Sequence, residues 1–315
     1  MVLPLTVVPV PGPGAEDVLV GADGRVWTGT ADGALHVHDP ADGSVTTVAA
    51  TGGRPLGLEW LPDGRMLVCD AHRGLLVLDP TTGVLETLVT EVDGVRLLFV
   101  NNAAVQADGT IWFTDSSRRW TVEDWKNDLV EHTCTGRLLR RDVDGEVTTV
   151  LDGLAFANGV ALLPGEHGVL VAETGTCRIR RVSLRGNEAG PTTTWVEDLP
   201  GHPDNIALGS DGLVWVTVAS PNDPVLALLR RSPRQVRAVV RRLPDRVKPE
   251  PRRTARVLAL DDEGAVVHDL DFDASGWRVA TGVREHDGRV WLGSLLEPAI
   301  AVGRVPGSGV GQRRS

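Results

Sequence analysis

Two carboxylates and two carboxamides stand at matching places before a repeated Asp-Gly turn, and oxygen donors in that mixture suit a hard cation. Seven residues before the turn aspartate come Glu16 (from Asp23), Leu56 (Asp63), Asn101 (Asp108), Asp204 (Asp211) and Ala280 (Asp287). In a degenerate fourth copy the place falls at or near Asn158. Glu16, Asn101, Asn158 and Asp204 are therefore the candidate metal ligands, with Ca²⁺ the expected ion and another divalent cation the alternative. Zinc would draw histidine or cysteine, and neither occurs at these places. The competing reading is a buried hydrogen-bond network of the same groups. It is weakened because neighbouring carboxylates repel when no cation lies between them.

A second set follows from the same geometry. The strand after each turn climbs back toward the same mouth and ends at Thr28, Asp70, Asp115, Glu173, Thr217 and Ser294. Asp70, Asp115 and Glu173 either line a substrate pocket and orient the ligands from behind, or form turns and caps. His72 is the histidine nearest this mouth by repeat count, and a surface role is its plainer description. The other histidines, His202 among them, show no metal-site spacing. A GxSxG elbow, a phosphate-binding loop and a dinucleotide fingerprint are all absent from the sequence.

The elements that must position these groups are short strands. The stretch Phe99–Ser117, FVNNAAVQADGTIWFTDSS, reads as two strands joined by a tight turn. Copies at Ala22–Trp27, Pro62–Leu67, Ser210–Trp215 and His286–Trp291, and a degenerate one at Pro164–Val171, recur at intervals of roughly 40–50 residues, as propeller blades do. The expected fold is all-β: a six-bladed propeller of four-stranded antiparallel blades, one domain over residues 1–306. Leu3–Val10 is expected to complete blade six and close the ring, and blade six itself to run from Arg256 to Val305. Trp27, Trp112, Trp215 and Trp291 share one place after the turn and read as blade packing. Two short helical insertions interrupt the repeat, near 118–134 with Thr121 as N-cap, and over 221–255. The second is rich in Lys and Arg; the plainer reading is a solvated cap over one mouth, the alternative a membrane-surface or anionic contact through 225–256. Residues 307–315 are expected to be a disordered tail.

Composition bounds the rest. A net charge of −10 argues against a nucleic-acid binder, which leaves a small-molecule substrate as the expected partner. Three widely spaced cysteines, Cys69, Cys134 and Cys177, make no disulfide framework and fit a reduced, cytoplasmic chain. The apolar start, Met1–Pro13, lacks a basic region and is broken by prolines, so neither a signal peptide nor a membrane span is expected there.

The stretches RPLGL (Arg54–Leu58), Phe99–Ser117, TGRLLRRD (Thr135–Asp142), FANGVAL (Phe156–Leu162), VLVAETGTCRIRRV (Val169–Val182), LPGHPDNIAL (Leu199–Leu208) and REHDGRVWLGS (Arg284–Ser294) resemble the strictosidine synthase-like family. That family lies in the gluconolactonase and paraoxonase group of propellers. The resemblance covers nearly the whole chain and implies a central Ca²⁺, with Glu16, Asn101, Asn158 and Asp204 on the metal positions and Asn205 beside them. Two departures stand out. Leu56 occupies the place of a catalytic histidine of paraoxonases, and Thr281 that of the catalytic glutamate of the plant synthase. The resemblance therefore does not extend to the synthase's amine–aldehyde condensation.

Together these readings point to metal-dependent hydrolysis of a small ester or lactone. The cation would act as Lewis acid and Asp204 as general base, with Leu56 and Thr281 shaping the pocket. A biosynthetic condensation or rearrangement at the same mouth, and a non-catalytic binding propeller, are the alternatives.

Overall fold

The Asp-Gly turns are built by their own side chains. At Asp23, Asp63, Asp108 and Asp211 the aspartate Oδ1 accepts the amide two residues on, at 3.1, 3.0, 2.8 and 3.0 Å. Gly109 then takes a φ of +95°, a region that residues with a Cβ seldom enter. The last copy is tighter: Asp287 and Gly288 both have positive φ and His286 pairs directly with Arg289, a two-residue hairpin of the primed type.

The computed structural model describes residues 2–186, 188–243, 248 and 252–307. Their strands form a six-bladed propeller of mostly antiparallel, four-stranded blades. Blade one is Leu19–Val20, Val26–Gly29, Ala34–His38 and Val45–Ala50. Blade two is Pro55–Trp60, Met66–Asp70, Gly74–Leu78 and Leu85–Val89. Blades three and four start with Val100–Val105 and Ala157–Leu162 and end with Val147–Leu154 and Glu188–Val196. Thr6–Pro9 pairs antiparallel with Ala299–Val302, so the chain's first residues complete blade six and close the ring. Val2–Leu3 goes further and adds a parallel fifth strand to blade five, against Asp271–Phe272.

Blade five departs from the sequence reading. Arg256–Leu260 pairs with Val214–Pro221 across the second insertion, and Val266–Phe272 follows it. Those strands finish blade five, and blade six starts only at Ala280. The insertion falls between the second and third strands, so it interrupts a blade and does not end one. The first insertion does the same in blade three. A small hairpin, Glu91–Val92 with Val95–Arg96, stands outside the blades and carries no repeat signal.

Each tryptophan after a turn packs across a blade boundary. Trp27 lies among Leu58, Met66 and Val68 of blade two, and Trp112 among Val160, Val169 and Val171 of blade four. Trp215 reaches Val283 and Leu292 of blade six, and Trp291 reaches Val18 and Val26 of blade one. Truncating a buried tryptophan costs about 3–5 kcal/mol, so these contacts are a main tie between neighbouring blades.

The insertions contribute three short helices: α1 (Trp125–Glu131), α2 (Pro224–Arg231) and α3 (Arg234–Arg241). Thr121 precedes a 3₁₀ turn, Val122–Asp124, but its side chain makes no capping bond there. Asp223 does cap α2, its Oδ1 accepting the Val225 and Leu226 amides at 2.7 and 3.3 Å. Val130, Leu226, Leu229 and Val240 join the three helices into one cap. Among the described residues no helix is long and apolar enough to cross a membrane. The tail expected from 307 lies, past Gly307, outside the described residues.

Candidate functional site

The inner strands carry a feature that the repeat did not reveal. In blade two Pro55 faces Asp70 and Leu58 faces Val68, so Leu56 and Gly57 together oppose one residue. The same two-against-one irregularity falls at Asn101–Asn102, Asn158–Gly159, Asp204–Asn205 and Thr281–Gly282. A β-bulge re-aims the side chain it carries. Here it sits, in five blades, at the residue that reaches the axis. Glycine next to that residue lets neighbouring inner strands close in. A Cβ at Gly159 would lie 2.3 Å from the Ile206 amide nitrogen, and one at Gly57 2.7 Å from the Asn101 carbonyl oxygen.

Glu16, Leu56, Asn101, Asn158, Asp204 and Thr281 all line one cavity, of about 870 Å³ counting its open mouth. In blade six the axial residue is thus Thr281 and not Ala280. The two-residue hairpin at Asp287 shortens the count from turn to axis by one. Above the ring the wall is mainly apolar, with Phe99 and Phe156 edge to face at 5.4 Å between centroids, Val122 and Trp125 from the first insertion, and Leu226 from the second.

The ring's oxygens are short of partners. Asn101 Nδ2 donates to Ser116 Oγ at 2.9 Å and Asn158 Nδ2 to Thr174 Oγ1 at 3.1 Å, which fixes both amides. Their Oδ1 atoms, Glu16 Oε2 and Asn205 Oδ1 are buried with no hydrogen-bond partner. Burial raises Glu16 well above the usual carboxylate range, and the charges of Asp204 and Asp17 add to it. Burial likewise pushes Asp204 up to about 7, with Asp17 adding to the rise, and Asp17 to about 6. Glu16 and Asp204, two carboxylates on one cavity beside orphaned amide oxygens and with Asp17 close by, suit the positive charge that a hard divalent cation supplies. Among the described residues no three His, Cys, Asp or Glu side chains gather as a metal site. The donor set that fits is two carboxylates with amide oxygens, which is calcium-like chemistry. At the far end of the channel Arg284 bonds Glu59 Oε2 at 2.9 Å and the Leu58 carbonyl at 3.0 Å, beside a second cavity.

Asp70, Asp115 and Glu173 do not line the cavity. Each is buried and ties down the backbone just ahead of an axial residue. Asp70 Oδ1 accepts the Arg54, His72 and Arg73 amides at 3.0, 2.9 and 2.9 Å. Asp115 takes the Phe99 amide at 3.0 Å and pairs with buried Arg137 at 2.7 Å. Glu173 takes the Ala155 amide at 3.0 Å and pairs with Arg178 at 2.7 Å. Their task is to set where the inner strands begin. Thr281 has a similar second duty: its hydroxyl donates to the Glu16 carbonyl at 2.7 Å. His72 lies at the surface, with Glu123 at 2.6 Å.

His202 was not singled out from the sequence, yet it lines the cavity. Its Nδ1 lies 2.9 Å from the Thr174 carbonyl oxygen, so that nitrogen carries the proton and Nε2 is left as a bare acceptor. Nε2 is buried without a partner. Burial holds the imidazole below its ordinary range, and the Arg230 charge adds to this. The available signal was its spacing: His202 and Asp204 are two apart on a strand, the period that places side chains on one face.

Comparison with known proteins fits this geometry. The family described as SMP-30/gluconolactonase/LRE-like region matches residues 26–244, and that described as strictosidine synthase-like, N-terminal, matches residues 5–36. The adipocyte plasma membrane-associated protein of Salmo salar is 37% identical over 318 residues, covering 90% of this chain and 76% of its own. A gluconolactonase from Xanthomonas campestris superposes with a TM-score of 0.70 at 17% identity, covering 96% of this chain and 89% of its own. A calcium-binding regucalcin from Agrobacterium tumefaciens does so with a TM-score of 0.65 at 17% identity, covering 97% of each chain. The chain belongs to the strictosidine synthase-like branch of the SMP-30/gluconolactonase family of six-bladed propellers.

Proposed function

We propose that this protein is a divalent-cation-dependent hydrolase of small esters or lactones, Ca²⁺ being the ion its donors favour. The observation that carries the reading is the set of partnerless buried oxygens on Glu16, Asn101 and Asn158, gathered with Asp204 on one cavity. These four residues would hold the ion, with Asn205 behind them. Bound there, a cation supplies Lewis-acid polarisation of a carbonyl. The similarity to a gluconolactonase and to a calcium-binding regucalcin supports the same assignment.

The chain's own groups do the rest. Phe99, Phe156 and Leu56 receive the apolar body of a substrate and keep water from it. Asp204 is half-buried and opens onto the cavity, which allows its carboxylate to accept a proton from an attacking water. His202 Nε2 offers an acceptor to a substrate hydroxyl. The Thr281 hydroxyl is engaged with the Glu16 backbone and brings no carboxylate to the place where the plant synthase has its glutamate, so a condensation mechanism is disfavoured.

The test is a metal analysis of the purified chain together with a lactone and aryl-ester screen, with chelator and after Ca²⁺ is restored. Turnover is expected to vanish with chelator, return with Ca²⁺, and be absent in Asp204→Ala. Undiminished turnover in Asp204→Ala would overturn the mechanism. Retained metal without turnover on any substrate would make the protein a binding propeller.

A further inference from the structure

We propose that the outer face of α2 and α3 docks on an anionic lipid bilayer, placing the cavity mouth against the membrane. The cap has two faces with different partners. Leu226 and Leu229 of α2 turn inward, onto the cavity and α1. Val225 and Leu228, three apart on the same helix, are 55% and 68% exposed. On α3 and just beyond it, Val236, Val239 and Leu243 stand at helical spacing on one side and are 45%, 62% and 42% exposed. These are five of the fourteen large exposed hydrophobic side chains among the described residues, gathered within one short hairpin of helices. A soluble surface gains nothing from such stripes, whereas an interfacial helix buries them at the headgroup–acyl boundary.

Charge selects the occupant. Pro224–Leu243 holds six arginines and no acidic residue, in a chain whose net charge is −10. Arg241 is engaged with Glu131 at 2.7 Å and Arg230 lies 3.5 Å from His202, both on the inward side. Arg231, Arg234 and Arg242 are exposed, on the same elements as the apolar stripes. Aliphatic side chains that stand out singly, ringed by arginine, match a surface with anions at its rim and hydrocarbon just below. They do not form a groove for a peptide. Because α2 lines the cavity with its other face, docking brings lipid within about one helix diameter, roughly 10 Å, of the site. Docking itself does not depend on the hydrolase reading.

The experiment is co-sedimentation of the full chain with vesicles of phosphatidylcholine alone or mixed equally with phosphatidylglycerol, at low and high salt. Three exposed arginines predict binding about a hundredfold tighter to the anionic vesicles at low salt, and weaker binding as salt rises. Leu228→Glu with Val239→Glu, both at exposed positions, is expected to weaken binding at least about tenfold with unchanged circular dichroism. The triple change Arg231→Gln, Arg234→Gln, Arg242→Gln is expected to erase the preference for anionic vesicles. The proposal falls if the wild-type chain stays in the supernatant with anionic vesicles, or if both variants sediment as it does. It falls equally if light scattering shows a dimer that the Glu variant dissociates, since the face would then belong to a second copy.

Discussion

Replacing Asp204 by Asn should stabilise the metal-free protein above neutral pH, although it removes a proposed ligand. An aspartate in the unfolded chain ionises near 3.8, whereas in the fold burial and the Asp17 charge hold the Asp204 proton up to about 7. Below about pH 4 both states are protonated and the residue contributes no difference. As pH rises from about 4 to about 7 the unfolded chain releases a proton that the fold retains, so stability falls; above about 7 the full cost is present. At about 1.4 kcal/mol per pKa unit the cost is about 4 kcal/mol, and water reaching the carboxylate from the cavity reduces it to about 2 kcal/mol. For a chain of this size that is about 4 °C in Tm. The assay is thermal unfolding followed by circular dichroism in chelator. Asp204→Asn should melt about 4 °C above wild type at about pH 8 and together with it near pH 4. Excess Ca²⁺ should reverse the order, because only wild type gains from binding. A variant less stable than wild type in chelator at about pH 8, or an equal Ca²⁺ response in both proteins, would refute the reasoning.

Other outcomes follow from the same structure. Asp115→Ala leaves the buried Arg137 guanidinium without its counter-charge and should cost about 3–5 kcal/mol, read from denaturant unfolding. Removing residues 1–9 deletes the fourth strand of blade six and should lower Tm by at least about 5 °C; an unchanged Tm would show that the ring does not need this closure. His202→Leu should raise KM about tenfold for a hydroxyl-bearing ester relative to its deoxy analogue, with kcat less affected, because the Nε2 acceptor is lost; the Nδ1–H bond to the Thr174 carbonyl goes with it, but that loss falls on both substrates alike.

Much of this architecture was legible because the turn chemistry repeats. Asp-Gly pairs mark five of the blades, in four of them with the aspartate bonding two residues ahead, and counting back from them reaches Glu16, Asn101 and Asp204 without reference to any contact. The same ruler failed where the turn changed. At Asp287 the hairpin is shorter, so the count stopped at Ala280 when the axial residue is Thr281. It also failed where a helical insertion split a blade, which shifted Arg256–Phe272 from the fifth blade to the sixth. Asp70, Asp115 and Glu173 were placed at the right end of their strands, but strand position does not say which way a carboxylate turns. The bulges that aim the axial residues depend on pairing between strands, and single-strand periodicity carries no trace of them.

The seam between Thr6–Pro9 and Ala299–Val302 has a consequence for biogenesis. The earlier of these two strands must wait for a partner made far later along the chain. At ordinary ribosomal speeds that delay is on the order of 15–60 s. During it, the nascent blades present an unzipped margin on either side of the gap, and the earliest strand is free to stick to whatever β-edge passes. Growth in a strain with slowed elongation would lengthen this interval, and chaperone dependence should rise with it.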